Sequence, residues 1–224
     1  AFITNAEKLG VDLGAVSHVA ISHGHNDHIR GLAYLCDHVK PKRLSVVAHP
    51  EALAERHENG LDIGCPLERS FLENRYELTL TKGPMQLSEN ITFLGEIPRY
   101  NDVERCSPVG ALRDGERPDF VLDDTALACK SEKGLFIITG CSHSGICNII
   151  EHAKRVCGMD TILGVMGGFH LFGVSDALDK TIQYFVANGI ETLYPCHCVD
   201  FAAKAEIHKR VPVREVGVGL EVMV

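Results

Sequence analysis

The order of apolar and amphipathic segments predicts an α/β fold, built as a single domain over residues 1–224. Two observations carry this prediction. Short β-branched runs alternate with segments of helical period, and no polar linker or shift in composition divides the chain. A third observation concerns function: histidines and an aspartate crowd together directly after the first apolar run, at the place where a strand would turn into a helix.

The apolar runs predict five strands, at residues 18–22, 44–49, 135–139, 161–166 and 192–195. Between them, apolar residues at helical spacing predict helices over residues 29–39, 146–156 and 178–186, and Ser175 is the expected N-cap of the last one. The section 60–124 differs, because two further strand patterns, YELTLT and ITFL, lie among glycines, prolines and charges. We expect antiparallel hairpins or a long loop there rather than βαβ units.

Composition narrows the class of protein. The formal net charge of -8 argues against a nucleic-acid partner, which usually requires a basic surface. We find neither an apolar run of membrane-spanning length nor a signal-peptide layout, so we expect a cytoplasmic protein with no membrane partner. The odd number of cysteines, 9, favours reduced thiols over a disulfide framework. The 12 histidines direct attention to metal binding.

The segment ISHGHNDHIRGL at residues 21–32 holds the strongest functional signal. Strand periodicity places His23 and His25 on the same side of an extended backbone, and Asp27 and His28 follow where the chain enters a helix. Imidazole nitrogens and a carboxylate suit zinc, iron or manganese, and this cluster can give two ligands to each of two adjacent ions. A polar loop that is rich in histidine by chance is the disfavoured alternative.

The motif SHGHNDH resembles the signature of the metallo-β-lactamase superfamily. The segments GEIPR, DDTALACKSEKGLFIITGCSHSGICNII, GGFHL and YPCHC look like a subgroup that includes pterin-condensing, dihydropteroate-synthase-like enzymes. The resemblance covers nearly the whole chain. It implies an αββα sandwich with one or two metal ions between the sheets, and an activity toward a small-molecule substrate.

The chain departs from that family pattern in two places. Where superfamily members commonly carry a bridging aspartate in a TGD turn, this chain has TGC and thus Cys141, which we weigh as a metal ligand against a small turn residue, favouring the latter. Relatives also have further strands before the signature, so the sandwich is expected to lack its first N-terminal strands. We therefore expect an open sheet edge, and either a natural protein that is longer at its N-terminus or a homo-oligomer formed through this edge.

Other candidate site residues also follow predicted strands. His143 and His197 lie at strand ends and are predicted metal ligands, whereas His170 after GVMGG is either a further ligand or a substrate-facing acid or base. Arg99 in GEIPR is the candidate to pair with a substrate carboxylate or phosphate. Cys196 and Cys198 are interpreted as structural thiols.

These assignments combine into two metal sites, one formed by His23, His25 and His143 and the other by Asp27, His28 and His197. We expect two divalent ions, with zinc favoured and manganese or iron as alternatives, and Asp27 also orienting the attacking water. The predicted function is that of a metal-dependent hydrolase acting on a phosphorylated or pterin-type substrate. The alternatives are a dihydropteroate-synthase-like transferase, a mononuclear-iron oxidoreductase and a non-catalytic metal-bound ligand-binding module.

Overall fold

The structure is a computed structural model that describes residues 1–39, 44–104, 107–113 and 116–224. The chain enters through helix α1 (Phe2–Leu9), which ends at Gly10 in the left-handed conformation. Secondary structure then alternates along the chain, as the sequence predicts, and the elements gather into three sheets. None of the helices in the described ranges is long and apolar enough to cross a membrane.

The first sheet is parallel and has the strand order β1-β2-β5, with β1 (His18–Ala20), β2 (Ser45–Ala48) and β5 (Glu77–Leu80). Its helices are α2 (Asn26–Ile29), α3 (Leu32–Leu35) and α4 (Arg69–Arg75), whose buried residues form one hydrophobic cluster with β2. In the described residues β1 is therefore an edge strand.

The parallel pairing of β5 with β2 corrects the expectation of hairpins alone in section 60–124. The strand in YELTLT returns to the first sheet after α4, as a crossover connection does. Hairpins do occupy the rest of this section. They form β6 (Met85–Ser88) with β7 (Ile91–Phe93), and a small antiparallel sheet of β3 (Arg56–Glu58), β4 (Leu61–Asp62), β8 (Ala111–Leu112) and β9 (Arg117–Pro118).

The largest sheet has the order β13-β12-β11-β10-β7-β6 and mixes parallel and antiparallel pairs. Its remaining strands are β10 (Ala126–Lys130), β11 (Leu135–Thr139), β12 (Ile162–Gly167) and β13 (Thr192–Pro195). Helices α5 (Ile146–Cys157), α6 (Asp176–Ala187) and α7 (Phe201–His208) contribute to its hydrophobic core. Ser175 caps α6 as predicted, because its hydroxyl accepts a hydrogen bond from the Leu178 amide at 3.2 Å.

The two main sheets face each other, and each carries helices of its own core on the far side. A cleft of about 380 Å³ lies between them, lined by Ile21 beside the first sheet and by Leu127 and Ile138 from the other. The expected αββα sandwich is thus confirmed. Strands β11, β12 and β13 run parallel in the large sheet, and the segments that follow them, like the segment after β1 in the first sheet, carry the histidines of the predicted site.

Candidate metal centre

The segment after β1 places its histidines through a tightly packed backbone. Gly24 lies against the backbone of Ala52, where a β-carbon would clash, and its amide donates to the Asp123 carboxylate at 2.6 Å. His23 and His25 are buried on either side of this glycine. The spacing of the motif therefore depends on a residue without a side chain between the two imidazoles.

The first ligand group is buried. Nε2 of His23 lies 3.1 Å from Nδ1 of His25, and the ring of His143 is centred 4.9 Å from both rings. One ligand atom from each of His23, Cys141 and His143 lies within 4.8 Å of the others. Among the described residues, the buried Nε2 atoms of His25 and His143 have no hydrogen-bond partner, and at His143 a bound ion would offset that cost.

The second ligand group is more open to solvent. Nε2 of His28 lies 3.1 Å from Nε2 of His197, and Oδ2 of Asp27 lies 3.4 Å from each of these nitrogens. The Cys141 sulfur is 3.3 Å from the same His28 nitrogen. The side chains of Asp27 and His197 are 51% and 49% exposed, so this group, unlike the first, can be reached by a ligand from outside.

For four of these histidines, His23, His25, His28 and His143, the environment favours the neutral imidazole, which is the form that binds metals. Burial lowers the pKa of His23 well below its ordinary value, and burial, with Arg56 nearby, lowers that of His25 to about 4. The pKa values of His28 and His143 are also lowered, chiefly by burial and further by neighbouring histidines. At neutral pH their nitrogen lone pairs are therefore available to a cation.

The spacing of these atoms fits a metal centre. Ligands about 2.0 to 2.1 Å from a tetrahedral zinc ion are separated from one another by about 3.3 Å. The nitrogen and oxygen atoms of Asp27, His28 and His197 are separated by 3.1 to 3.4 Å, and two lone pairs from neutral rings at such distances repel unless a proton or a cation lies between them. The donor set of imidazole, carboxylate and thiol suits zinc or iron.

Three turns that border the centre hold non-glycine residues at positive φ. They are Ser142 at 63°, His170 at 51° and His197 at 59°. Residues other than glycine and asparagine seldom adopt this backbone conformation, and residues that are held in it cluster at functional sites. Two of the three are predicted site histidines.

Supporting residues were not singled out from the sequence. The Ser22 hydroxyl lies 3.1 Å from Nδ1 of His23 and 3.3 Å from Nδ1 of His28, so it can accept from both rings and leave both Nε2 lone pairs free. Arg56, which is fully buried, pairs with Asp119 at 3.1 Å and with Asp123 at 2.5 Å. Nothing local in the sequence predicts these contacts, because Arg56 and Asp123 are 67 residues apart.

Two predicted site residues, His170 and Arg99, belong to neither ligand group. The His170 ring is centred 4.6 Å from that of His143, and both line a cavity of about 440 Å³ beside the first ligand group. The Arg99 guanidinium donates to the Phe120 carbonyl at 2.7 Å and lies over the Phe120 ring. Its pairing with a substrate carboxylate or phosphate stays a prediction.

A two-sheet sandwich with a histidine-rich centre at its strand ends defines a metal-dependent, hydrolase-like class of domain. Residues 2–120 match the metallo-beta-lactamase superfamily, and the chain belongs to this family. It is 34% identical over 206 residues to the uncharacterized protein MJ0448 of Methanocaldococcus jannaschii, covering 90% of this chain and 74% of that protein.

Two further relatives bear on the fold and on function. The chain is 28% identical over 212 residues to the 7,8-dihydropterin-6-methyl-4-(beta-D-ribofuranosyl)-aminobenzene-5'-phosphate synthase of the same organism, covering 89% of this chain and 72% of that enzyme. Among solved structures, Tm1679, described as a metal-dependent hydrolase of the beta-lactamase superfamily, matches with a TM-score of 0.84 and 31% identity, covering 100% of this chain and 84% of that one.

Proposed function

We propose that the protein is a metal-dependent hydrolase that uses two divalent ions, zinc foremost, on a phosphorylated or pterin-type small molecule. The observation that carries this proposal is the meeting of two ligand groups at the strand ends, one buried and one open. His23, His25 and His143 would hold the first ion, and Asp27, His28 and His197 the second. Bound divalent ions supply Lewis-acid polarisation and lower the pKa of coordinated water to about 7.

The chain's own groups prepare the reaction. Ser22 fixes the tautomers of His23 and His28 through their Nδ1 atoms. Asp27 contacts both nitrogens of the open group through Oδ2, so its other oxygen can accept a hydrogen bond from the attacking water and orient it. His170, exposed at the rim of the cavity beside His143, can exchange a proton with the substrate.

The substrate class is inferred from charge and from a relative. A formal net charge of -8 does not attract anions by itself, but two divalent cations make a local site for phosphate oxygens. The relative that is 28% identical is named as the synthase of a compound that contains a dihydropterin and a ribofuranosyl-aminobenzene phosphate. A phosphorylated or pterin-type substrate fits both considerations.

A transferase is the second candidate, because that relative is named a synthase. In such a reaction the same ligands would serve to hold a leaving pyrophosphate, and water would have to be kept from the reacting carbon. The open side of the second ligand group, where Asp27 and His197 are half exposed, favours access of water and hence hydrolysis.

The test combines metal analysis with a substrate screen. Protein purified without added metal should contain about two equivalents of zinc, and it should cleave at least one class among phosphodiesters, lactones, thioesters and pterin pyrophosphates. Stoichiometric iron would favour the oxidoreductase alternative. Condensation of a pterin pyrophosphate with an arylamine, without hydrolysis, would favour the transferase. Absence of bound metal would contradict the proposal altogether.

A further inference from the structure

We propose that Cys141 is a thiolate ligand shared by the two ions. This inference rests on the two-ion site of the proposed function and adds a residue to it. Cys141 belongs to both sets of atoms that lie within 4.8 Å of one another, with His23 and His143 in one set and His28 and His197 in the other. Its sulfur is 3.3 Å from Nε2 of His28.

A buried cysteine often packs as a small hydrophobic residue, and membership of a hydrophobic cluster is the sign of that role. Cys147, a residue of α5, is fully buried in the same hydrophobic cluster as Ile146 and Ile150. Cys141 is also buried, at 5% exposure, yet it belongs to neither hydrophobic cluster of the described residues. Its sulfur lies 3.3 Å from the imidazole nitrogen Nε2 of His28 and also contacts the Cys198 thiol.

The turn that carries Cys141 is fixed on both sides. The Cys198 thiol donates to the Cys141 carbonyl at 3.4 Å, and the amide of Gly168 donates to the Gly140 carbonyl at 2.7 Å. The Ser142 hydroxyl donates in turn to the Gly168 carbonyl at 2.6 Å. A β-carbon on Gly168 would clash with the Cys198 sulfur, so the close approach of the two turns requires glycine. The Cys141 sulfur is thus held between the ligand groups before an ion arrives.

Ligation at this position has a definite chemistry. On metal binding the Cys141 thiol would lose its proton to solvent, and the thiolate sulfur has lone pairs enough to act as a ligand of both ions. Thiolate is a soft ligand that favours zinc, iron or cobalt over manganese or magnesium. The shared sulfur therefore predicts that the centre discriminates against manganese, which a set of only imidazole and carboxylate would not do to the same degree.

Cobalt reports on the sulfur directly, because thiolate bound to Co²⁺ absorbs in the near ultraviolet. Metal-free protein is titrated with Co²⁺, and bound ions are counted by elemental analysis. We expect two bound ions, with the absorption growing over both equivalents. Cys141→Ala should abolish the absorption and weaken both ions at least about tenfold, since even partners that only orient a ligand contribute that much. Cys198→Ser, which removes the neighbouring thiol, should keep the absorption.

Cys141→Asp is a second variant, which returns a carboxylate to the same turn and should retain two ions without the absorption. Unfolding of each metal-free variant shows whether it folds. Absorption that persists in Cys141→Ala or vanishes in Cys198→Ser would overturn the assignment, and saturation after one equivalent would make Cys141 a ligand of one ion only. Two bound ions with no absorption in the unmodified protein would refute the role of Cys141 but leave the proposed function intact. Failure to bind two ions would refute both.

Discussion

At the scale of single residues, the centre depends on side chains whose partners fix their orientation. Ser22 contacts two imidazoles, and the amide of Gly24 is held by Asp123. Such contacts orient ligands that would otherwise rotate freely, so that little entropy remains to be lost when an ion binds. The ligands of the open group have fewer such partners, and their individual contributions should therefore be easier to separate by substitution.

Asp27→Ala should remove one metal equivalent and nearly all activity. The carboxylate lies 3.4 Å from the nitrogens of His28 and His197, and no other carboxylate is placed there among the described residues to replace it. Elemental analysis and turnover measure both effects. Asp37→Ala, at an exposed carboxylate outside the ligand groups, is the matched control and should change neither. Two ions retained in Asp27→Ala would refute the assignment of this residue.

Two histidines at positive φ should respond differently to substitution. His197→Ala should weaken one ion selectively, because its Nε2 atom is 3.1 Å from that of His28. His170→Ala should leave the metal content close to normal and lower turnover, since this residue lies beside His143 in the cavity and outside both ligand sets. Metal titration of both variants measures which substitution weakens metal binding more. A larger loss in His170→Ala than in His197→Ala would make His170 the ligand.

At the scale of elements, buried polar groups join segments that are distant in sequence. Arg56 on β3 reaches Asp123 before β10, and Asp123 holds the amide of Gly24 after β1. Glu104 accepts a hydrogen bond from the Cys147 amide at 3.0 Å and another from the Thr181 hydroxyl at 3.3 Å, which links the start of α5 to α6. These groups place the turns on which the ligands lie.

Arg56→Met should destabilise the protein by about 3 to 5 kcal/mol, because two buried carboxylates lose the cation that compensates them. Urea unfolding of the metal-free protein measures the change. Arg69→Met breaks an exposed pair with Glu73 and should cost less than about 1 kcal/mol. Equal losses of unfolding free energy in the two variants would show that the buried ion pairs of Arg56 stabilise the protein no more than an exposed pair does.

Glu104 should make stability depend on pH. Burial raises its pKa from an ordinary value of 4.5 to about 7, so the folded state binds more protons than the unfolded state between these values. The stability that protonated Glu104 contributes is therefore fully present below pH 4.5, and it is lost as the pH rises through 7. Its full size is on the order of 3 kcal/mol.

The free energy of unfolding is measured for Glu104→Gln and for the unmodified protein. Because both proteins contain the same histidines, the pH dependence that the histidines cause cancels in the difference. Between pH 5 and pH 8, Glu104→Gln should gain stability relative to the unmodified protein, because glutamine does not ionise. Glu7→Gln, on the exposed surface of α1, should follow the unmodified protein. If the free energies of unfolding of Glu104→Gln and of the unmodified protein differ by the same amount at all pH values, the raised pKa of Glu104 is refuted.

The sequence predicts local features of the fold better than distant pairings. Strands β11 and β13 have the predicted bounds, and α6 begins after the predicted cap, because apolar period and capping are read from neighbouring residues. The parallel return of β5 to the first sheet is not encoded locally, and neither is the contact between Gly24 and Asp123 across 99 residues. The histidines were recognisable from one motif and from strand ends, whereas Ser22 and Arg56 act through contacts that only the folded chain reveals.

At the scale of the whole molecule, the open edge of the first sheet predicts association. In the described residues β1 pairs only with β2, and Ile138 in the middle of the large sheet is 39% exposed to the cleft beside it. An edge strand beside an apolar cleft favours pairing with another strand, either from a second copy or from further residues of a longer chain. Light scattering of a chain of residues 1–224 should show a dimer, and Ile138→Lys should shift it to monomer. A stable monomer of that chain would contradict the prediction.

The two hydrophobic clusters have a consequence for cooperativity. One cluster belongs to the segment from Ile21 to Tyr76, and the other belongs to residues from Leu94 onward. His23 and His28 belong to the part of the chain that forms the first cluster, and His143 and His197 belong to the part that forms the second. An ion bound between these histidines would therefore act as a removable cross-link between two separately packed halves. With the ions in place the chain should melt in one transition, and with a chelator the halves should melt at different temperatures.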